Sequence, residues 1–182
     1  MIRIDGYLTQ PKLQTALKAI VGVESWRGSE ILVAQEGKHR WDMAYQWQDQ
    51  LVVVEYDGDD HYRHSLKIKA DRRKDEMARQ NGHRVVRVPY WIQLTTETLQ
   101  HYFGLHADIA QDFAHGFITT KIFPASFCEQ GVERFAAELT ALPTMVRVAV
   151  VRSLRDRAIE HGWECVLPRC LMTIVGPQPS AS

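Results

Sequence analysis

Six acids fall between Asp42 and Asp60, and no lysine or arginine falls among them. Four stand in LVVVEYDGDDHY, residues 51 to 62, where an apolar run ends in Glu55, Asp57, Asp59 and Asp60 and is followed by His61. Side chains two apart on a strand point to the same face, about 7 Å apart along it. Glu55 and Asp57 would therefore share a side, and a hairpin with the preceding strand would bring Asp42 beside Glu55. Carboxylates gathered at a buried strand end raise one another's pKa unless a cation stands between them. Oxygen-only ligation suits a hard divalent ion, Mg²⁺ with Mn²⁺ as a substitute. Such an ion can activate water and neutralise charge on a phosphate. The same residues also read as an ordinary solvated loop, because Asp57-Gly58 is a turn signal.

The next stretch has the opposite sign. Arg63, Lys67, Lys69, Arg72, Arg73, Lys74, Arg79, Arg84 and Arg87 stand against three acids, a local excess of six positive charges. An acidic pocket bordered by bases is what phosphodiester hydrolysis requires. The acids hold the metal, while the bases hold the polyanion through phosphate contacts and counterion release. Arg63, Lys67, Lys69, Arg72, Arg73, Lys74 and Arg87 are the expected DNA contacts. Arg72 to Lys74 fall at an expected helix start, where backbone N–H groups also favour phosphate. A solvated helix face would have the same composition. The adjacency of the two features favours a nuclease.

The elements that must position these residues follow from periodicity and punctuation. TQPKLQTALKAIVG opens as a helix with Thr9 as cap and Pro11 in the first turn. Three strands follow at 30–34, 40–47 and 51–57, joined by short links as in an antiparallel meander. The third has apolar residues at both parities and should be covered on both faces. Residues 71 to 81 read as a helix with Asp71 as N-cap and Asn81-Gly82 as its stop. HRVVRV is a strand closed by Pro89, and TTETLQHYF is a capped helix. Beyond residue 105 come helical patterns in EQGVERFAAEL and PTMVRVAVVRSLRDRAIEHG, then a strand-like WECVLP and a tail, 177–182, of disordered composition. The expected division is a core at 1–104 and a mostly helical region at 105–176.

Length and composition allow one domain with an appendage: 182 residues, 45% hydrophobic, with 22 bases against 22 acids. Three cysteines without framework spacing suit a reducing compartment. His161, Cys165 and Cys170 supply only three of the four ligands that a structural zinc site takes. No run reaches the roughly 20 apolar residues of a membrane span, and the start lacks a secretory apolar core. A soluble, cytoplasmic protein is expected.

The order α-β-β-β-α-β, with Asp42 in one strand and Glu55-Tyr56-Asp57 in the next, resembles the PD-(D/E)XK nuclease superfamily. The string VVVEYDGDDHY…DRRKDEMARQNGHRVVRV is similar to its very-short-patch-repair-type branch. In that pattern an acid-x-Asp-Gly leads to a histidine, then a helix, a glycine and a strand ending in Arg and Val. The likeness covers roughly residues 9 to 95, about half the chain. It implies a restriction-endonuclease-like α/β fold with a mixed sheet, and a divalent-metal-dependent DNA endonuclease. Asp42, Glu55 and Asp57 would then hold the metal, with Asp57 standing where the motif lysine usually stands. His61 would orient or deprotonate the attacking water, a role suited to a group that titrates near neutrality; His64 is the substitute.

The chain departs from the pattern in three ways. The motif lysine is absent, so that Lys67, Lys69 or Lys74 would have to supply it. The first helix carries no glutamate, although Glu24 and Glu30 flank the site. No zinc cluster of the mismatch-repair enzymes can be assembled. A homodimer is compatible with the sequence. The rival readings are a binding module of the same fold that no longer cleaves, and a scaffold domain whose acids form only a loop.

Overall fold

Apolar spacing at the N-terminus builds the first layer in a computed structural model that describes residues 1–34, 37–113, 115–117 and 122–176. A short strand, β1 (Ile2–Ile4), precedes helix α1 (Gln10–Val21). The Thr9 hydroxyl accepts a bond from the Lys12 amide, Pro11 lies in the first turn, and Leu13, Ala16, Leu17 and Val21 are buried. The meander follows as β2 (Trp26–Ala34), β3 (Gly37–Trp47) and β4 (Gln50–Asp57), all antiparallel. β5 (Arg84–Pro89) joins β4 in parallel, giving one mixed sheet in the order β2-β3-β4-β5.

The double-parity apolar run of β4 is explained by cover on both faces. Val52 and Val54, with Met43, Tyr45, Val86 and Val88, pack with Leu13 and Leu17 of α1 and with Leu99 and Phe103 of α4 (Thr96–Phe103). Val53, with Trp41, Ala44 and Val85, faces the other way, onto Ala78 of α3 (Ser65–Gln80). α4 is fixed by a reciprocal cap between Thr95 and Thr98. β6 (Ile109–Gln111) pairs with β1 in a separate two-stranded parallel sheet.

β2 and β3 begin four and three residues before the expected 30 and 40, and the start of α3 differs from expectation for a physical reason. α3 begins at Ser65, six residues before Asp71, because SLKIKA contains no breaker. Ile68, Asp71, Asp75 and Ala78 recur at three- and four-residue spacing on its buried face. Asp71 is therefore an inward-facing residue and not a cap, and Arg72, Arg73 and Lys74 stand inside the helix, away from its N-terminal N–H groups. One helical turn, α2 (Asp60–Arg63), precedes it.

The strand expected at WECVLP is instead a helical turn, α7 (Trp163–Val166), with Val166 and Leu167 buried among helices. Two C-terminal helices lie where periodicity placed them, α5 (Glu129–Ala141) and α6 (Thr144–His161); α8 (Met172–Val175), which was not expected, follows them. They share one apolar cluster with Tyr62, Trp91 and Ile92 of the N-terminal half, built around Phe117, Phe127, Phe135, Leu139, Val150 and Leu154. α5 comes so near α2 that a Cβ on Gly131 would overlap the Tyr62 carbonyl oxygen. The expected tail, 177–182, lies outside the described residues. Among those described, no helix is long and apolar enough to cross a membrane.

Candidate active site

Asp42 owes its position to an irregularity in β3. Glu30 pairs with Trp41 and Gly28 with Ala44, so Asp42 and Met43 together oppose Ser29 alone. A bulge of this kind breaks the ladder and re-aims side chains. Trp41 and Ala44, which strict alternation would put on opposite faces, consequently share a cluster. The Asp42 amide, released from β2, donates to Glu55 Oε1 at 3.2 Å. The Tyr56 amide donates to Asp42 Oδ2 at 3.0 Å. An aspartate carboxyl lies within roughly 4 Å of its own amide nitrogen. The two carboxylates are therefore neighbours, closer than about 8 Å.

Glu55 is buried, and burial raises its pKa, opposed by the hydrogen bond and charge of Lys74 and reinforced by Asp42. Lys74 reaches it from the middle of α3. Its ammonium donates to Glu55 Oε1 at 2.7 Å and to the Arg40 carbonyl at 2.5 Å, and lies 4.2 Å from the centre of the Trp41 ring. A cation over an indole face gains from the ring quadrupole. The base that the acidic segment itself lacks thus arrives from 19 residues downstream, and Lys74, expected as a DNA contact, is engaged by Glu55 instead.

Asp57 is fully buried, with both oxygens engaged by guanidinium groups. Arg87 donates to its Oδ1 at 2.7 Å and Arg134 of α5 to its Oδ2. Arg87 also bonds Asp75 at 2.9 and 3.0 Å and stands 3.4 Å from Asp71. Arg134 also bonds Glu138 at 2.7 Å and the His61 carbonyl at 3.3 Å, and covers the Tyr62 ring at 4.6 Å. Tyr62 donates to Glu138 at 2.5 Å. Burial favours neutral forms, raising Glu138 and Tyr62. It would also lower the two arginines, but Asp57 and Asp75 raise Arg87, and Tyr62, Glu138 and Asp57 raise Arg134, above the ordinary guanidinium range.

His61 is held on the same side of the sheet by α2. Its Nδ1 is 2.6 Å from Asp71 Oδ2 and 3.3 Å from Asp57 Oδ1. Burial would raise Asp71, but the bond to His61 and the charges of Arg87, His61 and Arg134 outweigh it, and its pKa is lowered. An ionised Asp71 accepts only, so Nδ1 carries a proton and donates it to Asp71. His64 is exposed and pairs with Asp60 at 3.3 Å.

The basic residues separate into two sets. Lys67, Lys69, Arg72 and Arg73 project into solvent from α3, and exposed Arg63 pairs with Asp59 at 3.1 Å. Lys74 and Arg87 are turned inward, with side chains 14% and 11% exposed. Sequence reasoning did not single out Arg134, Glu138 or Trp41, nor the inward role of Asp71 and Asp75. For Asp71 and Asp75 the signal was present, since they fall on the helical face of Ile68 and Ala78. For Arg134 no local signal exists, because its partner lies 77 residues away.

Among the described residues, no three or more of His, Cys, Asp and Glu converge as a metal cluster. Mg²⁺ is commonly held by one or two carboxylates with water and substrate oxygens. The Glu55 carboxylate already attracts a cation, the Lys74 ammonium. By donor chemistry Asp42 and Glu55 fit the ion, whereas Asp57 has neither oxygen free in this arrangement. Comparisons with family models, with curated proteins and with solved structures give no match.

Proposed function

We propose that this chain is a divalent-metal-dependent deoxyribonuclease of the PD-(D/E)XK type, hydrolysing phosphodiester bonds in DNA. The observation that carries the reading is the convergence, at one sheet end, of Asp42 and Glu55 with the Lys74 ammonium and a His61 held by Asp71. Asp42 and Glu55 would hold Mg²⁺ or Mn²⁺, which when bound supplies charge neutralisation and activation of water. Lys74 stands in for the missing motif lysine and, when Glu55 takes a metal, becomes free to neutralise charge on the scissile phosphate. His61 accepts a proton at Nε2, while Asp71 fixes its tautomer and stabilises the imidazolium that results. Asp57 with Arg87 and Arg134 anchors this scaffold. The exposed Lys67, Lys69, Arg72 and Arg73 hold the DNA backbone.

One observation favours the rival. The Lys74–Glu55 bond satisfies the acid without any ion, as in a binding module that no longer cleaves. Nicking of supercoiled plasmid in Mg²⁺, Mn²⁺ and EDTA separates the two. The nuclease reading expects nicking that needs the metal and disappears in Glu55→Ala. Plasmid retained on the protein but never nicked in either metal would establish the binding module instead.

A further inference from the structure

α6 carries apolar side chains on two opposite faces, and only one has a use inside the molecule. Val146, Val150, Leu154 and Ala158 are buried in the C-terminal cluster. On the other side Met145, Val148 and Ile159 are 74%, 49% and 78% exposed, and Ile174 of α8 beside them is 42% exposed. The outer positions 145, 148, 152, 155 and 159 alternate steps of three and four. That is the stripe by which one helix receives another. Along it runs a groove of about 640 Å³ lined by Val148, Val151, Arg152, Arg155, Ile159 and Ile174, among others.

Charge identifies the occupant. Arg147 donates to the Thr140 carbonyl, and Arg155 to the carbonyls of Val175 and Gly176. Carbonyls orient a guanidinium without cancelling its charge. Among the described residues, none of Arg147, Arg152 and Arg155 has a carboxylate within ion-pair distance, whereas Arg63, Arg79, Arg87, Arg134 and Arg157 each do. Asp156 is the one acid among the described residues that line the groove. A second copy docked by the same stripe would set Arg152 and Arg155 against their own kind. The tail PQPSAS has no acid and no large apolar side chain. The apolar ends of the stripe suit a protein better than a nucleic-acid backbone.

We propose that this face receives an amphipathic helix of a partner protein, about four turns long, with apolar residues at its ends and Asp or Glu at its centre. Positions 145 to 159 span roughly 21 Å at 1.5 Å per residue, which sets that length. The inference is independent of the proposed nuclease activity.

The probe is a synthetic 18-residue helical peptide with Leu at its outer heptad positions and Glu at its central ones. A second peptide carries Lys for Glu. Binding to the full chain is read by fluorescence anisotropy, alongside Arg152→Glu and Ile159→Asp variants with unchanged circular dichroism. The acidic peptide should bind at least 10-fold tighter than the Lys peptide, and each variant should weaken it at least 10-fold. Equal binding of both peptides, or none, overturns the proposal. So does a concentration-dependent dimer abolished by Ile159→Asp, which would make a second copy the occupant. A loss of plasmid affinity in Arg152→Glu would assign the face to DNA and overturn it equally.

Discussion

Replacing Lys74 by Met keeps the length of the side chain and removes its charge, leaving Glu55 buried beside Asp42 without a counterion. At 2.7 Å the ammonium–carboxylate attraction is on the order of 6 kcal/mol for an effective dielectric of about 20. Desolvation of both groups cancels part of this, and breaking one half of a buried pair costs about 3–5 kcal/mol. That cost should depend on pH with a definite sign. Glu55 has a raised pKa in the folded chain, so between its ordinary value and its folded value the folded state holds a proton that the unfolded state has released. Its contribution to stability is fullest at acid pH and falls as pH rises through that window. Without Lys74 the window extends upward. Urea unfolding of K74M should therefore show the full penalty of about 3–5 kcal/mol at pH 8. At acid pH, below its raised pKa, Glu55 takes up a proton and only about 1–2 kcal/mol of lost hydrogen bonding and packing should remain. In a Glu55→Gln background the substitution should cost no more than that at either pH. Equal penalties at both pH values and in both backgrounds would refute the pairing argument. Millimolar Mg²⁺ should restore part of the pH 8 loss if Asp42 and Glu55 bind the ion.

Other expectations follow from the same geometry. Asp71→Asn should leave Mg²⁺ affinity intact but lower nicking by about 10²–10⁴ and shift its pH profile, because the Asn amide can donate as well as accept and carries no charge, so it neither fixes the His61 tautomer nor stabilises the imidazolium; an unchanged pH profile would make Asp71 merely structural. Neutralising Lys69 and Arg73 together should weaken DNA binding for all sequences and flatten the salt slope by roughly one to two ions. Arg87→Gln should instead lower the unfolding midpoint, since three buried carboxylates face it. Gly131→Ala should force α5 off α2, at a cost of at least about 1–3 kcal/mol, and lower nicking through the displacement of Arg134; an unchanged melting temperature would contradict the close approach. Burial and Arg157 push the His115 pKa down to about 4. The unfolded chain should thus bind the extra proton as pH falls from about 6.5 toward that value, and stability should drop by about 1–2 kcal/mol after allowance for partial exposure. In His115→Gln that drop should vanish from denaturation curves at pH 7 and 4.5.

Strands and helices were legible wherever one face was apolar and the ends were punctuated. The Val run of β4, the Thr9 and Thr95 caps and the Asn81-Gly82 stop are all local signals, and local structure obeys them. The start of α3 was misread because Asp71 is a favoured cap type, and only the tertiary face shared with Ile68 and Ala78 shows that it points inward. WECVLP failed for a related reason. Its apolar residues suit a strand, but a strand needs a neighbour, and none lies beside this segment among the described residues. The pairing of Asp42 with Glu55 was readable from the hairpin; the bulge that frees the Asp42 amide was not.

The charges were harder to read than the apolar pattern, because composition gives the sign of a side chain and not the side on which its partner lies. A run of nine bases after six acids invites one account, substrate outside and metal inside. Helical and strand parity divide the run differently. Arg87 shares parity with Val85, which faces α3, so it must meet the acids on that helix. Lys74 lies three residues from Met77 and four from Ala78, on the border of the buried face, where a long stem reaches Glu55 while its head lies over Trp41. Lys69, Arg72, Arg73 and Glu76 share the opposite face and remain in solvent. Had the periodicity that identifies a core been applied to the charged residues as well, two of the seven expected DNA contacts would have been assigned to the interior from sequence. Arg134 would still have been missed, because its place is set by a glycine contact between helices that are distant in the chain.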